Sequence, residues 1–296
     1  VIVQLKVGIV ASDRDEWHIQ RLLESLKNRG ADAYVFPSTR LLSRINSSPR
    51  ISVKGYAIEE FDAVIVRKVP GGSPDQVFYR MDVLHRLEEM GVYVMNSPDA
   101  IERSVDKFYT SGLLEDAGIR TPRTVITEKF EEAITAFSDL GGDVVVKPLF
   151  GSLGFGMTRL TDEDIAYRVF RTLEQIGGVY YIQEFIPHRN EDIRAFVVGG
   201  RVVASMLRVA KSWKTNIAGG GEAKPCELED YLAELSLKAA KVIGLDYTGV
   251  DLLRSEEDET FYVIEVNSTP GWEGLQTVTK KRISDIIVDH LLSKLK

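Results

Sequence analysis

Apolar residues fall in short runs separated by polar, glycine-punctuated stretches, and their spacing alternates between strand and helix periods. Residues 5–10 form an apolar run followed by Ser12 and Asp13, a pair that predicts a helix cap. Ile19, Leu22, Leu23 and Leu26 then share one helical face, and Gly30 ends the segment. Residues 31–36 and 62–66 read as further strands. The segment 75–90 reads as a helix with Val77, Met81, Leu84 and Leu87 inward, closed by Gly91. Residues 92–95 form one more strand, ended by Asn96, Ser97 and Pro98. This alternation predicts an α/β domain with an open parallel sheet over residues 1–97.

The pattern then changes. Helices are expected at 106–117, 130–140 and 162–176, with strands at 124–127, 144–147 and 179–186. Glycines at 151, 154 and 156 form a loop between two of these segments. Apolar runs flank Gly199 and Gly200, a hairpin signal. Leu228, Leu232, Leu235, Ala239 and Val242 mark a helix before strands at 247–254 and 261–267, and a last helix covers 281–295. Hairpins mixed with helices predict α+β lobes, divided here as 98–185 and 186–296.

Composition narrows the function classes. The 296 residues are 44% hydrophobic and 27% charged, so a large core is affordable and disorder is excluded. With 37 Lys+Arg against 44 Asp+Glu the net charge is -7, which argues against a nucleic-acid binder with a broad basic face. The one cysteine, Cys226, rules out an intrachain disulfide framework and a cysteine-rich zinc site. No apolar run reaches the roughly 18 residues of a membrane span, and the start lacks a small-residue cleavage site. The expectation is a cytoplasmic protein without membrane or nucleic-acid partners.

Three constellations carry candidate chemistry. Lys147 ends an apolar strand just before the glycine loop, where backbone N–H groups and an ammonium can approach phosphate; a plain flexible turn has the same spelling. Glu265 and Asn267 are two apart on a strand and share a face, and Asp251 lies in a neighbouring apolar strand. Such oxygens suit a hard divalent cation, and equally suit ion pairs with Arg or Lys. Asp192, Arg194, Arg208, Lys211, Lys214 and Asn216 precede three glycines, with Arg194 and Arg208 in opposite arms of the hairpin. Arg67 stands at a C-terminal strand end, where open α/β sheets bind ligands. The histidines show no metal-ligand spacing, and no hydrolase or zinc-enzyme motif occurs.

In order and spacing, these pieces resemble the RimK-type glutamate ligases of the ATP-grasp superfamily. The resemblance runs over 61–277, through Asp106-Lys107, Val146-Lys147-Pro148 with the glycine loop, Gln183 to Ile186, Asp192-Ile193-Arg194, Arg208, Asn216, Gly249-Val250-Asp251, and Glu265 to Gly274. It implies ATP and Mg²⁺ as cofactors, with two metal ions held by Asp251, Glu265 and Asn267, and Mn²⁺ as a substitute. Lys107 and Lys147 would hold phosphates, and Gly151, Ser152, Gly154 and Gly156 would close over them. Gln183, Glu184, Phe185 and Ile186 would hold the adenosine, with Asp192 and Arg194 also in the ATP set. Arg208 and Asn216 would face an acyl-phosphate, the activated form of a substrate carboxylate that an amine then attacks. Lys214 and Ala218-Gly219 stand where the ribosomal-protein glutamylases carry arginines and a His-Arg pair. The stretches 67–80 and 106–111 look like the archaeal branch that adds one L-glutamate to tetrahydromethanopterin, with Arg67, Arg80 and Lys214 as candidate substrate contacts. Other acceptors in the family are a deazaflavin coenzyme, a protein C-terminus and an amino-acid carrier protein. The family also implies a homodimer or homotetramer. A regulator that binds ATP without turnover is the alternative from another class, and the retained Asp251, Glu265 and Asn267 argue against it.

Overall fold

The computed structural model describes residues 4–151 and 156–295. Its first part runs β1 (Lys6–Val10), α1 (Trp17–Asn28), β2 (Asp32–Phe36), β3 (Leu42–Ser43), β4 (Ile51–Val53), β5 (Tyr56–Ala57), β6 (Ala63–Val66), α2 (Pro74–Glu89) and β7 (Tyr93–Met95). The four apolar strands form a parallel sheet in the order β2-β1-β6-β7. The strands are added first to one side of β1 and then to the other, so β1 and β6 flank a switch point of the kind whose crevice opens at the C-terminal strand ends. Arg67 follows β6 there, its N–H donating to the Val10 carbonyl at 3.0 Å.

Next come α3 (Pro98–Val105), α4 (Lys107–Asp116), β8 (Thr124–Thr127), α5 (Phe130–Asp139), β9 (Val144–Lys147), β10 (Thr158–Leu160), α6 (Glu163–Gln175) and β11 (Tyr180–Glu184). Their antiparallel sheet has the order β10-β9-β11-β8, and α5 and α6 cover one face of it around Phe170 and Tyr180. The last part holds β12 (Glu191–Val198), β13 (Arg201–Val209), β14 (Glu222–Pro225), α7 (Asp230–Ile243), β15 (Tyr247–Arg254), β16 (Phe261–Asn267), α8 (Glu273–Val278) and α9 (Ile283–Lys294). Its sheet is antiparallel in the order β14-β13-β12-β15-β16. An N-terminal parallel sheet followed by α+β lobes is the fold class expected from the pattern.

Several elements differ from expectation. Ser12 and Asp13 do not cap α1, which starts at Trp17; Asp13 instead accepts the Asp15 N–H at 2.8 Å, a local turn. Helix α3 was not anticipated, although Ser97 caps it and Pro98 opens it. The small sheet β3-β4-β5 lies within 42–57, where strands of two or three residues leave no periodicity to read.

One core joins the first sheet to the last. Ile9, Ile65 and Met95 pack with Phe196, Tyr247 and Trp272, and α9 lies against α1. Asn96 secures this junction from a fully buried position: its Nδ2 donates to the carbonyls of Tyr247 (2.9 Å) and Ser268 (2.6 Å). Its Oδ1 accepts the N–H groups of Asp246 (2.8 Å) and Tyr247 (3.1 Å). Four satisfied bonds make this buried amide tolerable where an unpaired one would be costly. Among the described residues no helix is long and apolar enough to cross a membrane.

Candidate active site

Strand register gathers the polar side chains of the last sheet on one face. Asp192 pairs across from Arg208, Arg194 across from Asp251, and Asp251 across from Glu265. Residues two apart on a strand point the same way, so Asn267 joins Glu265. The opposite face carries Val197, Val250, Leu252 and Val266 against α7. Asp251 is 2% exposed, and Arg194 Nε and Nη2 grip its two oxygens at 2.6 and 2.7 Å. Arg208 Nη2 reaches the same carboxylate at 2.7 Å, while its Nε donates to Asp192 at 2.6 Å. Burial alone would push the Asp251 carboxyl up, but the two guanidiniums hold it below the usual carboxylate range. Thr215 Oγ1 adds a bond to Asp192 at 2.7 Å.

Glu265 stands apart from this network. It makes no hydrogen bond among the described residues, yet its charge acts on both Lys107 and Lys147. Lys107 opens α4 and donates to the carbonyls of Leu149 (3.3 Å) and Gly151 (3.1 Å). Lys147 ends β9 and donates to Gln183 Oε1 at 2.5 Å, and Gln183 in turn donates to Thr124 at 2.9 Å. Burial lowers the Lys147 ammonium pKa to about 8, against the pull of Glu265 and with the push of Lys107. Asn267 Nδ2 is buried without a partner among the described residues.

Other expected residues are placed differently. Glu184 accepts Arg123 N–H and Nε at 2.7 and 2.6 Å. Phe185 packs against His188 and Trp213, with the Arg159 guanidinium 3.5 Å over its ring. His188 bridges the carbonyls of Ile186 (2.8 Å) and Trp213 (3.0 Å). Lys214 donates to Met157 O at 2.7 Å, tying this segment to the end of the glycine loop. Asn216 O accepts the N–H groups of Gly219 and Gly221, curling its loop. Gly151 and Gly156 are exposed at the two ends of that glycine loop, whereas Ser152 and Gly154 lie outside the described residues.

Arg67 and Arg80, paired as candidates by sequence, have separate surroundings. Arg80 Nη1 donates to Pro70 O (2.6 Å) and Gly71 O (3.2 Å), shaping the loop after β6. Arg67 is 8% exposed, lies 4.7 Å over Trp272, donates Nη1 to Tyr247 at 3.2 Å, and keeps a buried Nε without a partner among the described residues. His18 was missed as a contributor, because only folding brings it to Trp272. Burial first, and Arg67 second, lower its pKa to about 3. It is therefore neutral: Nε2 accepts the Trp272 N–H at 3.0 Å, which leaves Nδ1 to donate to Glu16 at 3.2 Å.

Two parallel tracks of similarity meet this geometry. The RimK PreATP-grasp domain family matches residues 5–101, and the RimK-like ATP-grasp domain family matches residues 104–291. The chain belongs to the RimK-like ATP-grasp family, and it is a ligase. It is 36% identical to the tetrahydromethanopterin:alpha-L-glutamate ligase of Methanocaldococcus jannaschii, over 99% of this chain and 100% of that one. It is 35% identical to a probable alpha-L-glutamate ligase of Hydrogenovibrio crunogenus, over 96% and 94%. A solved structure of the ATP-grasp ligase PsnB, complexed with minimal precursor, Mg and ADP, superposes with a TM-score of 0.75 at 25% identity, covering 100% of both chains.

Proposed function

We propose that this protein uses ATP and Mg²⁺ to join L-glutamate to an acceptor carboxylate, with tetrahydromethanopterin as the acceptor. The observation that carries the reading is the convergence of Lys107, Lys147 and Glu265 from three separate elements. Two ammonium groups beside a carboxylate that makes no hydrogen bond among the described residues suit a polyphosphate that brings its own cation. The donor set fits Mg²⁺: a carboxylate without a hydrogen bond and the amide of Asn267, whose buried Nδ2 lacks a partner among the described residues, are hard oxygen ligands and a waiting donor. Bound there with Asp251, the cation would neutralise charge on the transferring phosphoryl group.

The chain's own groups do the rest. Lys107 and Lys147 hold phosphate oxygens, and Arg208 meets the charge that develops on the γ-phosphoryl. The acceptor carboxylate attacks that phosphorus and ADP leaves. The glutamate amine then attacks the acyl carbon of the resulting acyl-phosphate, and phosphate leaves as the C–N bond forms and the amine loses its proton. A glycine loop closing over the triphosphate would keep water from the acyl-phosphate, and its residues 152–155 lie outside the described residues. Arg67, whose buried Nε lacks a partner among the described residues, takes a substrate carboxylate at the switch point of the first sheet.

Two results test this reading. Mass spectrometry of reactions with ATP, Mg²⁺ and L-glutamate should show one glutamate residue added to tetrahydromethanopterin with one ADP formed per addition. ADP formed only with a deazaflavin coenzyme, protein C-terminus or carrier protein would move the acceptor and keep the ligase, whereas nucleotide binding without turnover would leave a regulator. In the same assay Arg67→Ala should raise the KM of glutamate or acceptor about tenfold or more while that of ATP stays put.

The lowered Lys147 pKa sets a pH limb. The ammonium is charged below about 8 and loses its proton above it. So kcat/KM for ATP, which reports the free enzyme, should fall as pH rises through that value. Lys147→Arg, whose guanidinium keeps its charge, should flatten the limb even if its maximum is lower.

A further inference from the structure

Five side chains form one chain of contacts across the sheet: Thr215 to Asp192, Asp192 to Arg208, Arg208 to Asp251, and Asp251 to Arg194. The links are unequal. Arg194 grips Asp251 through two bonds, Nε to Oδ1 and Nη2 to Oδ2. Arg208 likewise grips Asp192 through Nε and Nη2. Planar forks of this kind fix a carboxylate in its plane. Between the two forks there is a single bond, Arg208 Nη2 to Asp251 Oδ2. If it opens, Arg208 is still held by Asp192 and Asp251 is still held by Arg194.

Two guanidiniums and two carboxylates balance in charge, and all four groups are mostly withdrawn from water: the side chains of Asp192, Arg208, Asp251 and Arg194 are 1%, 4%, 3% and 12% exposed. A cation arriving alone at Asp251 would free Arg208 and leave excess positive charge in a dry place. An anion arriving alone at Arg208 would do the reverse. Arriving together, they compensate each other.

Backbone geometry supports the outer fork. Gly249 lies two residues before Asp251 on the same face of β15. A Cβ there would stand 3.3 Å from Arg194 Cδ and Nε and 3.2 Å from Pro270 Cβ. The absent side chain leaves the trough through which Arg194 crosses the strand to reach Asp251.

We propose that Arg194 and Asp192 are positioning residues rather than nucleotide contacts, holding Asp251 and Arg208 so that the single bond between them is exchanged for a cation on one side and a phosphate on the other. This rests on the reading of the site as one for Mg²⁺ and ATP. It follows that metal and nucleotide binding are coupled through the protein, each raising the affinity for the other.

The test is calorimetric titration of the full-length chain with the non-hydrolysable analogue AMPPNP, once in EDTA and once in saturating Mg²⁺. Wild type should bind more tightly with Mg²⁺. Arg194→Lys keeps the charge but lacks the fork, and Gly249→Ala crowds Arg194 without removing it. Both should keep the EDTA dissociation constant within about twofold and lose tenfold or more of the Mg²⁺ enhancement. In the loaded enzyme kcat should fall while the glutamate KM holds. A tenfold loss of affinity in EDTA for Arg194→Lys would make Arg194 a nucleotide contact and overturn the proposal. An unchanged Mg²⁺ enhancement in both folded variants would overturn it too. If wild type fails to bind AMPPNP under either condition, the ATP reading itself falls.

Discussion

Glu265→Gln is expected to lower kcat by about a thousand-fold, the scale on which a charge placed at the reacting phosphoryl group acts. The change is isosteric, and the carboxylate it removes makes no hydrogen bond among the described residues. The folded state therefore loses no hydrogen bond, only the attraction to the two lysines, and the melting temperature should stay within about 2 °C of wild type. A second readout follows from electrostatics. Glu265 supports the charged form of Lys147 against burial, so its removal pushes the Lys147 pKa further below about 8. Nucleotide affinity measured against pH should then decline at lower pH than in wild type. An inactive variant with normal melting and an acid-shifted binding profile would place Glu265 with the lysines at the phosphates. Near-normal turnover would remove it from the chemistry.

Asp251→Asn is expected to be equally inactive for a different reason, and to betray that reason in its stability. The Asp251 carboxylate accepts three bonds from two guanidiniums at 2% exposure. An amide there turns an NH₂ group toward an arginine N–H and leaves two buried cations with one carboxylate, Asp192. Breaking a buried pair from one side costs about 3–5 kcal/mol. In a chain of this size that lowers the melting temperature by on the order of 10 °C. Differential scanning calorimetry separates the two metal-site candidates: Glu265→Gln should melt as wild type does and Asp251→Asn well below it. Equal melting of both would mean that the guanidiniums re-pair at no cost.

That contrast marks where sequence spacing stops being informative. Glu265 and Asn267, or Asp192 and Arg194, share a face because they are two apart on a strand, which any reader of the chain can see. Arg194 meets Asp251 only through an antiparallel register that joins residues 57 apart, and the choice between metal ligand and ion-pair partner turns on it. The parallel sheet was legible from apolar runs stopped by glycines, since burial on both faces enforces such runs. Helix α3 had its Ser97 and Pro98 signal, but the same two residues also spell the end of the strand before them. Arg80 is a candidate only through the resemblance of 67–80, and the folding of its Nη1 onto Pro70 and Gly71 depends on a tertiary path that spacing does not encode. His18 offered no signal at all, as its partner Trp272 lies 254 residues away.

The Asn96 junction has a consequence for engineering. The first sheet and the last share one apolar interior, Asn96 rivets them with four bonds, and Arg29, just past the first helix, pairs with Asp285 and Asp289 on the last. Arg67 and the carboxylates of β15 and β16 thus stand on one continuous core. An N-terminal module grafted without an Asn at this position would leave the Asp246 and Tyr247 N–H groups and the Tyr247 and Ser268 carbonyls without these bonds. Acceptor preference should therefore be exchanged by redrawing the loops at the strand ends, leaving Asn96, Tyr247 and Trp272 in place, and not by trading whole modules.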